Sequence, residues 1–147
     1  MRYAINMNDG SVAIMEIAKE FSHLTPDDCI KQWGQEKQAK VISVSLIQDS
    51  DIPVDRSYRN AWTWKGKIEH DMVKARNIHR GKIREARKPK LESLDVSYQR
   101  ADETRNTLLK SQIAAQKQVL RDLTAIPEIE AAATVEQLKM VWPEVLK

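Results

Sequence analysis

Apolar residues recur at steps of three and four from Lys65 to Leu123, as one face of an α-helix requires. The first part of the row is Ile68, Met72, Ala75, His79, Ile83 and Ala86. It resumes with Leu91, Leu94, Tyr98, Ala101, Leu108, Gln112, Ala115 and Val119, and a second line (Leu109, Ile113, Leu120, Leu123) widens the later face. Lys, Arg, Glu, Gln and Asp fill the positions between, all tolerable on a helix surface. Lys88 precedes a proline and is pushed out of the α region, so Pro89 is predicted to open a new helix at its first turn. The pattern predicts two long antiparallel helices, or one long kinked helix. Their apolar faces would cover this chain's own core or pack against another copy.

Upstream the period changes from 3.6 to two. Arg2–Asn6 and Ser11–Ala18 alternate around Asn8-Asp9-Gly10, which predicts an antiparallel β-hairpin. Thr25-Pro26-Asp27-Asp28 opens a short helix, with Thr25 as cap, Pro26 in the first turn, Ile30 and Trp33 on one face and Gly34 at its end. Lys40–Gln48, with Val41, Ile42, Val44, Leu46 and Ile47, reads as a third strand. Asp49–Trp64 begins with turn residues and ends with aromatics, so it is expected to pin this ββαβ unit through Tyr58, Trp62 and Trp64. Past Leu123 a break at Ile126-Pro127 precedes a short helix over Glu128–Ala133. A final helix over Val135–Val141 follows, capped by Thr134 with Gln137 three residues on and stopped by Pro143.

The fold class expected is therefore α+β, predominantly α. A small α+β head (residues 1–64) precedes a long helical hairpin (65–123) and a short C-terminal helical segment (124–147). No apolar run approaches the length of a membrane span, and the N-terminus lacks the pattern of a signal peptide. The single cysteine, Cys29, excludes an intrachain disulfide and suits a reducing compartment.

Charge changes the picture. Ten basic residues against three acids give Lys65–Lys90 a formal +7 in a chain of net +3, so the molecule is electrically lopsided. Arg76, Arg80, Arg84 and Arg87 line up at intervals of four, four and three, a candidate face for phosphates or for an acidic partner. His23, His70 and His79 share no ligand spacing with one another or with Cys29, and no metal or cofactor is expected. With four glycines and no nucleophile elbow, phosphate loop or dinucleotide fingerprint, catalysis is not expected either.

Longer stretches carry a resemblance. Pro53-x-Asp55-Arg56-Ser57-Tyr58-Arg59-Asn60-Ala61-Trp62, Asp71-Met72-x-Lys74-Ala75-Arg76-x-Ile78-His79-Arg80 and Arg84-x-x-Arg87-x-Pro89-x-Leu91-x-x-Leu94-Asp95-Val96 resemble a group of small tailed-bacteriophage and prophage proteins. Arg100-Ala101-Asp102-Glu103 belongs to the same likeness, which runs from Pro53 to Pro143. Lys117-Gln118-x-Leu120-Arg121-Asp122 and the ending Ala131-Ala132-Ala133-Thr134-x-Glu136-x-Leu138-Lys139-x-Val141-Trp142-Pro143 are similar to phage tail (fibre) assembly chaperones. The resemblance implies a virion assembly or structural protein, tail-associated, found in the host cytoplasm during assembly or in the virion. Its partners would be other phage structural proteins, in a multi-copy assembly. The expected partner-binding set is Tyr58, Trp62, Trp64, Leu91, Leu94, Tyr98, Leu108 and Val119. A basic nucleic-acid-binding accessory protein is the alternative.

Overall fold

A computed structural model describes all of residues 1–147. The chain forms two compact units, Met1–Ala75 and Arg76–Lys147. The architecture is α+β and predominantly helical, a small N-terminal sheet followed by long helices, as the periodicities predict.

In the first unit, β1 (Arg2–Met7) and β2 (Val12–Glu16) form the expected hairpin, with Ala4 opposite Ile14 and Arg2 opposite Glu16. Gly10 sits at φ +73°, the left-handed conformation that glycine adopts without strain, and its N–H donates to the Met7 carbonyl at 3.0 Å. Asp9 Oδ1 accepts from the Ser11 N–H at 2.8 Å and fixes the turn. Two short helices follow, α1 (Pro26–Lys31) and α2 (Gln35–Gln38). Thr25 and Asp28 cap α1 reciprocally, each side chain accepting from the other's backbone N–H. Gly34 lies at the start of α2 rather than closing α1. The third strand, β3 (Val41–Ile47), runs antiparallel along the other side of β1, giving the order β2-β1-β3.

One face of this sheet is sealed by a second hairpin that the helical period concealed. β4 (Trp62–Trp64) pairs with β5 (Ile68–His70), turning at Gly66 with φ +79°. Ala4, Ile47, Ile52, Trp62 and Ile68 are buried together, with Val12, Ile14 and Trp64 packed against them. The segment from Lys65 to His70, expected as helix, is thus a turn and a strand. Asp71 starts the helix instead: its Oδ1 accepts from the N–H groups of Val73 (2.9 Å) and Lys74 (3.2 Å).

Two long helices follow, α3 (Met72–Glu103) and α4 (Thr107–Asp122). The hairpin exists, but its turn is not at Lys88-Pro89. Pro89 lies inside α3, which continues through it for 32 residues. The reversal comes at Thr104-Arg105-Asn106, where Arg105 adopts φ +53° and the Asn106 side chain accepts from the Leu109 N–H at 3.0 Å to cap α4. Within the second unit the two helices are antiparallel: Asp95 pairs with Lys117, and Asp102 with Lys110. The chain ends with α5 (Pro127–Ala131) and α6 (Val135–Met140), the latter capped by Thr134 as expected. Ile129, Ala132, Val135 and Leu138 of this C-terminal segment are buried, as are Ile83, Ala101, Ile113 and Leu120 of the hairpin. No helix is long and apolar enough to cross a membrane.

Pro89 denies the Glu85 carbonyl its helical N–H partner in a region where both residues are part-exposed or exposed. Pro89→Ala is therefore expected to stabilise the protein by about 1–3 kcal/mol. A rise in the urea midpoint with unchanged slope would show it; an unchanged or lower midpoint would contradict the account.

Candidate protein-binding surface

α3 and α4 meet along a narrow stripe. Of α4 only Ile113 and Leu120 are fully buried. Lys110 and Lys117 reach from α4 to Asp102 and Asp95, and both ammonium groups lie over the Tyr98 ring, 5.3 and 5.1 Å from its centroid. Asp102 raises the Lys110 ammonium above its ordinary pKa through the hydrogen bond between them. Tyr98 thus serves as a spacer between two cations of its own unit.

Where the helices diverge, a groove of about 540 Å³ opens between them. Pro89, Ser93 and Leu94 of α3 form one wall, and Gln116, Val119 and Leu120 of α4 form the other. Val145 closes one end, held there by a hydrogen bond from Lys90 Nζ to its carbonyl. The lining is almost wholly apolar, with Val119 58% exposed. An apolar trough of this kind on a helix pair suits the side chains of a protein segment better than a charged ligand.

Of the residues expected to bind a partner, the structure brings Leu94 and Val119 together in this groove. Leu91 and Tyr98 are half-buried nearby on α3, and Leu108 projects from α4 with 71% of its surface exposed. The aromatic trio is placed differently. Tyr58 and Trp62 are buried inside the first unit, so neither is free to meet a partner. Burial pushes the Tyr58 phenol above its ordinary pKa. The Trp62 indole N–H donates to His70 Nε2 at 3.2 Å, and Trp64 is half-buried against the same core. Their role is to hold the second β-hairpin on the sheet.

The arginine row is likewise turned to internal use. Arg87 Nη1 donates to the carbonyls of Leu120 (2.9 Å) and Arg121 (2.6 Å), which lie in the last turn of α4 and have no helical donor. Arg80 Nε donates to the Thr124 carbonyl at 3.2 Å, and Arg76 Nη2 to the Ala132 carbonyl at 2.9 Å. Both also pair with Glu130 of α5. Only Arg84 stands exposed. Three of the four guanidinium groups expected to face phosphates are therefore directed at backbone carbonyls.

His79, half-way along that helix face, is 1% exposed. Its Nε2 lies 2.7 Å from the Val141 carbonyl, which can only accept, so that nitrogen carries the proton. The Trp142 ring meets it edge-on at 5.9 Å. Burial lowers the His79 pKa from 6.5, the Val141 carbonyl opposes the shift, and Lys82 adds to it. The imidazole joins α3 to the Val141 carbonyl inside the second unit.

Sequence reasoning passed over a smaller concavity in the first unit. Val12, Ala13, Ile14 and Trp62 line it, with Arg56, Arg59 and Asn60 at its mouth. Arg56 and Arg59 belong to the stretch that carries the phage resemblance, but no periodicity marks them. On edge strand β3, Ile42 and Leu46 are exposed as well. No three or more His, Cys, Asp or Glu side chains converge as metal ligands would. Comparison with protein-family models, curated proteins and solved structures yields no match.

Two expectations follow. Arg87→Ala takes the guanidinium donor from the Leu120 and Arg121 carbonyls, the second of which keeps the Thr124 hydroxyl at 3.4 Å, and is expected to destabilise the second unit by about 1–2 kcal/mol, whereas Arg84→Ala should stay within about 0.5 kcal/mol. Urea titration of the two variants reads the difference, and equal midpoints would refute the internal role. For His79 the folded-state pKa lies below the unfolded one, so the unfolded chain binds more protons in the window between them. Stability is then complete above about pH 6.5 and declines as pH falls below that value. The thermal midpoint should drop between pH 7.5 and 5.5, and His79→Phe should reduce that drop.

Proposed function

We propose that this protein is a non-catalytic assembly protein of a tailed bacteriophage, tail-associated, which works by binding other phage structural proteins through its helical hairpin. The observation that carries the reading is the apolar groove between α3 and α4, open to solvent and lined by Leu94 and Val119. The extended likeness from Pro53 to Pro143 supplies the phage setting. Binding would bury one or two apolar side chains of a tail or fibre subunit in the groove, with the exposed cations of α3, among them Arg84 and Lys88, drawing in an acidic rim. The protein would act in the host cytoplasm during assembly, and either leave as a chaperone or remain in the particle.

Ser93 lies exposed on the groove wall, so Ser93→Arg obstructs the trough without opening the core. Co-purification from infected cells should recover identified tail or fibre subunits with the native protein, and at least about five-fold less with Ser93→Arg. Equal recovery would remove the groove from the function. Mass spectrometry of purified virions separates a resident component from a chaperone. A salt-sensitive mobility shift with DNA or RNA, lost on replacing Arg84 and Lys88, would instead favour the nucleic-acid reading.

A further inference from the structure

The outward side of α4 carries a feature that the groove does not account for. At about 100° per residue, Ile113 and Leu120 lie on the side turned to α3, together with Lys110 and Lys117. Leu108, Gln112, Ala115 and Val119 form an outward row, spaced four, three and four, with Val119 also at the edge of the groove, and all four are exposed. Ser111, Gln116 and Gln118 flank this row. In a chain with 31% charged residues, the outward strip from Thr107 to Val119 bears no charge, because both lysines of that span are drawn inward to Asp95 and Asp102. A solvated helix face normally carries charge. A neutral row with four-three-four spacing and small residues is the pattern of a helix–helix seam.

We propose that α4 pairs with α4 of a second copy of this chain, antiparallel, about a twofold axis level with Ile113 and Ala114. That register sets Leu108 against Val119 of the second copy and Gln112 against Ala115, each twice, a larger side chain facing a smaller one. Beyond that layer Arg105, in the turn that precedes α4 rather than in the helix, comes near Asp122 of the second copy. Both residues are exposed, so an ion pair of opposite sign flanks the seam at each end. Asp122 holds only the Gln118 amide, at 2.8 Å to its Oδ1. A parallel alignment would instead stack Gln112 on Gln112 and Asp122 on Asp122, placing like charges together. One strip thus supplies both large and small members and both charges in a single register, as a self-complementary surface of a twofold dimer does. A different protein would have no reason to match it in that symmetric way.

A seam of about four turns is smaller than the roughly 800 Å² per partner of a stable interface, so the dimer is reversible and concentration-dependent. The inference does not rest on the phage reading; it shares Val119 with the groove wall, and its test turns on Leu108 and the ends of α4 rather than on Ser93 or Leu94.

Sedimentation analysis of the full chain from about 5 to 500 µM tests it. A monomer–dimer equilibrium is expected, weakened at least about tenfold by Leu108→Glu, a change at an exposed position that circular dichroism should show to leave the fold intact. Arg105→Glu should also weaken it, and adding Asp122→Arg should restore it. In a Cys29→Ser background, Leu108→Cys with Val119→Cys should oxidise to a covalent dimer, while Leu108→Cys alone should not. A chain that stays monomeric at the highest concentration overturns the proposal, as does a dimer indifferent to Leu108→Glu. Failure of the charge reversal to restore association, or cross-linking by Leu108→Cys alone, overturns the antiparallel register.

Discussion

A helix of 16 residues is marginal alone in water, so α4 draws most of its stability from packing against α3. The grip has three parts at different heights. Ile113 and Leu120 bury apolar surface, Lys110 and Lys117 straddle Tyr98 and pair with Asp102 and Asp95, and Arg87 satisfies the final carbonyls. Each contact is modest, because solvent screens the exposed ion pairs. Distributed over the whole length, they forbid the helices to slide, because any shift breaks several at once. The position of the groove and the outward direction of Leu108 and Val119 are consequences of that locked register.

The same contacts change how the basic excess should be understood. A formal +7 over Lys65–Lys90 reads as an electrostatic footprint for a polyanion. In the folded second unit, however, Arg76, Arg80 and Arg87 hold their guanidinium planes against backbone carbonyls and Glu130. A hydrogen bond to a carbonyl does not cancel the charge, but it occupies the donors that make arginine a bidentate phosphate ligand. What persists is a diffuse positive field around α3.

How much of this was legible in the sequence depends on whether a signal was local. The β-hairpin at Asn8-Asp9-Gly10, the Thr25 cap and the Thr134 cap are short-range chemistry, and each stands where the residues placed it. The turn of the helical hairpin was misplaced because proline is a strong local breaker, whereas the true reversal at Arg105 carries neither Gly nor Pro. The step of seven from Ala101 to Leu108, the longest in the row, was the available sign, with Asn106 as a cap. Ile68 fitted a helical row by coincidence of spacing, although Trp62-Thr63-Trp64 and Ile68-Glu69-His70 flank a glycine as hairpin strands do. Of the candidate surface, Leu94, Leu108 and Val119 were found by periodicity. The burial of Tyr58 and Trp62 and the carbonyl partners of the arginines are tertiary facts, which no one-dimensional pattern contains.

Pro89 ties stability to the binding surface. A proline inside a helix weakens it, and here the helix tolerates the loss because α4 braces the following turns through Lys117 and Asp95. Its ring forms part of the groove wall beside Ser93 and Leu94, a rigid apolar surface with no N–H to be left unpaired when a partner covers it. An alanine there would strengthen α3 but leave a shallower trough. The residue thus sits where helix stability and groove shape pull in opposite directions.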